Sequence, residues 1–305
     1  MTGTALPEKR VNLIDCKQGA VRAVRFNVDG NYCITCGSDK SLKLWNPHRS
    51  LLIKTYAGHG YEVLDAQASC DNSQICSCGL DKTVILYDVA SGKALKKYRG
   101  HVGQVNCVRF NEESTLILSG SVDGSVRVWD IKSRKMEPVQ VLDEAKDSVT
   151  CIQVSDHEIL TGSADGRVRR YDLREGKMAV DSIGKPVTSV SFTRDGQCTL
   201  VSSLDNTLRL LDKDTGEMLN EYTGHKNSDY KIDNCLNSMD THVMSGSEDG
   251  SVYIWDLLEA KIVQKLDHGK GVVHSMSHHP TENCLLTAVG PSVYVWKSKD
   301  ASEAT

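Results

Sequence analysis

The 305-residue chain is 39% apolar and 25% charged, enough to build a core and too apolar for an intrinsically disordered polymer. A formal charge of −4 makes neither nucleic acid nor an anionic membrane an obligatory partner. The opening MTGTALPEKR lacks the apolar core of a signal peptide, no run of about 18 apolar residues follows, and the eleven cysteines are scattered, so neither secretion nor membrane insertion is expected and the thiols are read as reduced.

The first segment with strand character is 9–15, where Val11 and Ile14 stand three apart. The same spacing recurs at Ile53/Tyr56, Leu95/Tyr98 and Leu219/Tyr222, each just ahead of a new unit. Since no unit precedes 9–15, this segment is expected to supply the outer strand of the last unit, about 270–297, and so to remove an exposed sheet edge.

From there the chain repeats. Asp39, Asp81, Asp123, Asp165, Asp205 and Asp249 follow one another at 42, 42, 42, 40 and 44 residues, and six residues after them stand Trp45, Tyr87, Trp129, Tyr171, Leu211 and Trp255. A seventh copy keeps the offset with Gly290 and Trp296 but has lost the aspartate. Each unit contains an alternating run such as Ser125-Val126-Arg127-Val128-Trp129, behind a polar turn (Asp123-Gly124) and a short apolar run (Leu116-Ile117-Leu118). Period-two runs joined by tight turns predict short antiparallel strands. A unit of about 42 residues with four such strands is one propeller blade, because it cannot bury both faces alone.

The expected fold is therefore an all-β, seven-bladed propeller covering 9–297, its ring closed by the N-terminal strand completing the last blade. The blades fall at about 19–57, 58–99, 100–142, 143–182, 183–223, 224–266, and 267–297 plus 9–15, with 1–8 and 298–305 as flexible tails.

Several residue sets carry the types used in chemistry. His101, Ser119 and Asp123 match a hydrolase triad, and the set recurs as His59/Ser77/Asp81 and His225/Ser245/Asp249. Three copies of one active site around a ring are not expected of an enzyme, whereas a structural network is expected once per blade. Cys33-Ile-Thr-Cys36 and Cys76-Ser-Cys78 lack a second ligand pair at zinc spacing and read as small buried strand residues, so no metal is expected. Glycines fall singly in turns, with neither GxGxxG nor a Walker sequence, so no nucleotide or other cofactor is expected. Two basic clusters, Lys132/Arg134/Lys135 and Arg167/Arg169/Arg170/Arg174, leave direct RNA contact open. Against that, Arg127, Arg169 and Arg209 stand two residues before the aromatic position and so belong to the repeat.

The units resemble the WD40 family, whose pattern is Gly-His, then Asp, then Trp-Asp. The match is fullest at Gly58-His59 to Asp81 to Tyr87-Asp88, Gly100-His101 to Asp123 to Trp129-Asp130, and Gly224-His225 to Asp249 to Trp255-Asp256. The resemblance implies structural tetrads in which aspartate holds histidine and serine links histidine to Trp129 or Trp255, with Tyr87 taking the tryptophan place. Units one, four, five and seven depart from it: Lys17 falls at the histidine offset, Val201 and Leu286 at the hydroxyl, and Leu211 at the aromatic, so these blades are expected to lean on apolar packing.

Segments 19–33, 58–66, 154–174 and 194–217 go further and resemble a scaffold member of the family. That closer resemblance implies a non-catalytic adaptor for the extracellular-signal-regulated kinase cascade, found in cytoplasm and nucleus, that also associates with the spliceosome in mRNA splicing. Tyr171-Asp172-Leu173-Arg174 resembles the ending by which some propellers dock onto a cullin ubiquitin ligase adaptor, an alternative role as substrate receptor. Partner contacts are expected on the rim ahead of the inner strands and the repeat aspartates, at Tyr61, Glu62, Asp229, Tyr230 and Glu248.

Overall fold

The computed structural model describes residues 6–299. Seven four-stranded antiparallel sheets stand around an axis, and among the described residues there is no helix, hence none long and apolar enough to cross a membrane. The first strand, β1 (Lys9–Asp15), pairs with Ser292–Lys297 in the last blade, and the next four, β2 (Val21–Phe26), β3 (Cys33–Gly37), β4 (Leu42–Asn46) and β5 (Leu51–Tyr56), form blade 1 from axis to rim. The N-terminal strand thus closes the ring, and its Ile14 is buried beside Val293 and Val295.

Apolar alternation gives each blade two buried faces, so the core lies between blades as wedges. One wedge joins Ile34, Leu42 and Tyr56 of blade 1 to Ala66, Ile75 and Tyr87 of blade 2. In the outer strands only one member of each apolar pair is inside: Tyr56, Tyr98 and Tyr222 are buried, while Ile53, Leu95 and Leu219 are exposed. The tyrosine reaches the next blade, as where Tyr222 donates its hydroxyl to the Leu257 carbonyl at 2.6 Å. Within blade 2 the two inner strands come so close that a Cβ on Gly79 would lie 2.3 Å from the Glu62 carbonyl oxygen.

The innermost strands carry a shared irregularity. In six of the seven the register slips after the first residue, between Val21/Ala23, Val63/Asp65, Val105/Cys107, Val149/Cys151, Val187/Ser189 and Val273/Ser275. A bulge re-aims side chains. Here it sets Arg22, Leu64, Asn106 and His274 at one mouth of the axial channel. Blade 6 is the exception: its inner strand is cut to Asn234–Leu236, and Tyr230 and Lys231 from the preceding loop take the place at the mouth.

The expected tails need correction at their inner ends, and residues 1–5 and 300–305 lie outside the described residues. Glu8 N–H donates to the Lys297 carbonyl, Gln264 donates to the Pro7 carbonyl, and Glu8 pairs with Lys299. Leu6 packs on the wedge between blades 6 and 7, and that apolar contact fixes the segment.

Candidate functional site

Two of the three sets that look like triads are assembled. In blade 3, His101 Nδ1 donates to Asp123 at 3.0 Å, Ser119 donates to His101 Nε2 at 2.8 Å, and the Trp129 indole donates to Ser119 at 2.8 Å. Asp123 also accepts the Val102 N–H and both donors of Ser125. In blade 2 the matching distances are 2.9 Å for His59–Asp81 and 2.7 Å for His59–Ser77. There the buried Tyr87 hydroxyl makes no hydrogen bond of ordinary geometry among the described residues.

These networks have the spacings of a triad, but their serines are sealed from solvent. Ser77 and Ser119 are 0% exposed, so no substrate reaches the hydroxyl. Burial alone would raise the carboxyls of Asp81 and Asp123, but hydrogen bonds from His59, from Ser125 and from backbone amides outweigh it and hold both far below the usual range. Burial also lowers the pKa of His101, which keeps the ring neutral and able to accept from serine.

The third set corrects the sequence expectation. Among the described residues His225 has no hydrogen bond at either ring nitrogen, Ser245 donates to the Gly246 carbonyl, and Trp255 donates to the Thr223 carbonyl at 3.0 Å. Asp249 is taken by the Tyr253 hydroxyl at 2.8 Å and by Lys265 at 3.0 Å. The reason is local: Tyr253 stands where Arg127 stands in blade 3, stacks on Trp255 and removes the aspartate from the histidine.

Two further corrections run the other way. In blade 1 the histidine role falls to Gln18, not Lys17: Trp45 donates to Thr35 at 2.9 Å, Thr35 to Gln18 at 2.5 Å, and Gln18 to Asp39 at 3.4 Å. Lys17 is left-handed (φ 49°), which turns the next side chain inward. In blade 7 the hydroxyl is Thr287, not Leu286, and it bridges His268 at 2.7 Å and Trp296 at 3.0 Å. Its turn pairs Val289 directly with Ser292, and that register sets Thr287 opposite Tyr294. In blades 4 and 5 an arginine closes the network, with Arg169–Asp165 and Arg209–Asp205 each at 2.6 Å and bonds to Ser163 and Ser203. These four blades therefore do not rely on apolar packing alone.

A matched pair of substitutions separates the two kinds of histidine. His101→Leu is expected to cost about 2–4 kcal/mol by stranding Asp123 and Ser119, whereas His225→Leu should change stability by less than about 1 kcal/mol or raise it. Burial lowers the His225 pKa to about 4. The unfolded chain therefore binds a proton that the folded chain refuses, and wild type loses stability as pH falls from about 6.5 towards 4. His225→Leu should flatten that slope; equal slopes in urea melts at several pH values would refute the assignment.

The other concentration of polar groups is axial. Arg25 reaches Asp233 at 2.7 Å and Asp65 at 3.2 Å, Arg109 reaches Asp65 at 2.6 Å, and Ser275 donates to Asp233 at 2.7 Å. Lys231 extends across the channel from blade 6 and donates to the Asn106 carbonyl of blade 3 at 3.1 Å. Burial opposes ionisation of Asp65 and Asp233, but Arg109 and Arg25 at the first and Arg25 and Lys231 at the second keep them below the usual carboxylate range. Above this cluster is an open cavity of about 400 Å³, with Glu62 paired to Arg22 at 3.0 Å and Tyr230 standing edge-on to His274.

The five expected rim residues separate. Tyr61 is 63% exposed under Lys40, between blades 2 and 3; Tyr230 is 49% exposed at the mouth; Asp229 is exposed beside it; Glu62 is half-buried by Arg22. Glu248 is corrected as a contact residue. Its side chain is 4% exposed and accepts the N–H groups of Ser228, Asp229 and Tyr230, so it shapes the loop that presents Tyr230. Val102, 74% exposed beside His101, escaped the sequence reading, and so did the mouth residues Arg22 and Lys231. Val102 follows a Gly-His directly, a signal within reach; Lys231 depended on where the two extra residues of blade 6 went.

Other sequence candidates are consumed by structure. All eleven cysteines are free, and Cys33, Cys36, Cys76 and Cys78 are fully buried, which pushes their thiols up. Among the described residues His157, Glu158 and Asp172 group as possible metal ligands, but Glu158 already holds Lys213 at 3.0 Å and Arg170 at 3.4 Å.

The family described as "WD domain, G-beta repeat" matches residues 8–46, and the N-terminal domain of nucleolar protein 10-like proteins matches 64–241. The chain is 68% identical to WD repeat domain-containing protein 83 of Homo sapiens, over 98% of this chain and 95% of that one. To the protein of the same name from Danio rerio it is 69% identical with the same coverage, and to the Dictyostelium discoideum homolog 35% identical over 92% of this chain and 96% of that one. With a closed seven-bladed ring, assembled Asp-His-Ser networks and relatives matched end to end, the chain belongs to the WD40-repeat family, in the group of WD repeat domain-containing protein 83.

Proposed function

We propose that this propeller is a non-catalytic scaffold that organises components of the extracellular-signal-regulated kinase cascade and associates with the spliceosome, working in both cytoplasm and nucleus. The observation that carries the scaffold reading is that the residues resembling catalytic groups are sealed inside the blades, while aromatic side chains and an open charged mouth face outward. Surface of that kind suits protein docking. A platform with several faces raises the local concentration of what it holds without new chemistry. The kinase and splicing assignments rest on the resemblance of segments 19–33, 58–66, 154–174 and 194–217 to a family member with those roles.

The RNA-binding and ubiquitin-ligase readings have less behind them. Arg169 is buried against Asp165 and Arg170 is held by Glu158, so the basic run 167–174 offers no continuous track for phosphates. Arg174 is exposed but pairs with Asp156, and Asp172 accepts turn amides.

The test is affinity purification of the tagged full chain from nuclear and cytoplasmic extracts, with and without nuclease, read by mass spectrometry. Kinase-cascade proteins recovered regardless of nuclease, and splicing proteins from the nuclear fraction, are the expected result. Recovery of neither would overturn the assignment.

A further inference from the structure

The axial cluster is out of balance. Arg25, Arg109 and Lys231 bring three positive charges, while Asp65 and Asp233 bring two negative ones. At the rim Arg22 and Glu62 cancel, and burial keeps His274 neutral. One unit of positive charge is left uncompensated in a partly dehydrated site, an arrangement that costs free energy unless an anion meets it. Two donors also lack acceptors. Among the described residues Arg25 Nε has no acceptor, although the atom itself is shut off from solvent, and the Lys231 ammonium, which has three N–H groups, makes one hydrogen bond, to Asn106. Both residues line the same cavity, which opens to solvent on the face that carries Tyr230.

We propose that this mouth receives a carboxylate from a partner protein: an acidic segment lays an aspartate or glutamate side chain against Lys231 and Arg25, and Tyr230 and Leu64 flank its neighbours. One surplus charge calls for one carboxylate. A nucleic-acid backbone is disfavoured, because it needs a row of cations and the rim instead presents Glu62 and Asp229 beside Arg22. The two-residue lengthening of blade 6 has a role in this account, since it carries Lys231 to the axis while Glu248 fixes the loop above it.

The proposal rests on the adaptor reading and names the chemistry of one of its contacts. It is tested with the full chain, a fluorescent alternating glycine–glutamate octapeptide, the matching glycine–glutamine peptide and a uridine octanucleotide, by anisotropy at low and high salt. The glutamate peptide should bind, more weakly in high salt, the glutamine peptide should not, and Lys231→Gln should weaken binding about tenfold. On the wild-type chain, carbodiimide coupling of the bound peptide should map to Lys231, a readout that does not depend on the variant folding.

Equal binding of both peptides, coupling only to surface lysines such as Lys40 or Lys82, or displacement of the peptide by the oligonucleotide at lower concentration would each overturn it. Absence of peptide binding while the tagged chain still recovers its partners removes the mouth proposal alone. Loss of the partners removes the adaptor reading.

Discussion

Asp65→Asn should be the most damaging single substitution in the ring. Asp65 is 1% exposed and joins Arg25 of blade 1 to Arg109 of blade 3. Asparagine keeps the shape but leaves three buried cations facing Asp233 alone. Breaking a buried pair from one side typically costs about 3–5 kcal/mol. In a domain of this size that amounts to a fall in melting temperature of about 6–10 °C, at roughly 2 °C per kcal/mol. Adding Lys231→Gln should recover part of the loss, because it removes one of the stranded charges. As a control, Asp214→Ala, an exposed carboxylate 3.8 Å from Arg170, should shift stability by less than about 0.5 kcal/mol. A thermal scan in which Asp65→Asn melts like Asp214→Ala would show that the axial pairs do not hold the ring.

Asp123→Asn should rank second, at about 2–4 kcal/mol. Two of its donors, His101 Nδ1 and the Val102 N–H, converge on one carboxylate oxygen, and Ser125 approaches the other. An amide can accept at only one of those positions. Because the folded pKa of Asp123 is depressed, the carboxylate's contribution is complete above its unfolded value of about 4 and is lost as pH falls through the folded value. The gap between wild type and variant should therefore be constant near neutrality and shrink in acid. Hydrogen exchange gives a local check: the Val102 amide should lose protection in the variant. Asp249→Asn, by contrast, disturbs a half-exposed carboxylate held by Tyr253 and Lys265, and about 1 kcal/mol is expected. Equal effects at 123 and 249 would mean that the family pattern, not the geometry seen here, governs stability.

Much of this architecture can be read from sequence because a blade is a local object. Alternation marks its strands, an aspartate-turn marks the hairpin between second and third strands in six of the seven units, and the spare pair Val11/Ile14 at one end matches the missing outer strand at the other. Offsets are less secure guides to side-chain partners. Lys17 was one residue from Gln18, in a left-handed turn that points the next side chain inward, and Leu286 was one from Thr287, in a strand where a one-residue shift moves a side chain to the opposite face. His225 kept every motif residue around it and still lost its network, because Tyr253, which no motif specifies, captured Asp249.

The sequence by itself determined the repeat, the seven-fold ring and its closure, the Asp-His-Ser networks of blades 2 and 3 and the tryptophan that completes the second of them, since all of these depend on spacings within one unit or on the count of units. Only the tertiary structure decided which residues meet on the axis. Arg25 and Asp233 are 208 positions apart, Lys231 and Asn106 are 125 apart, and neither pair has a periodic signature. They meet because closure of the ring brings the bulged inner strands of blades 1 and 3 and the segment ahead of blade 6's shortened inner strand to a common axis, where side chains with little access to water must answer one another's charge.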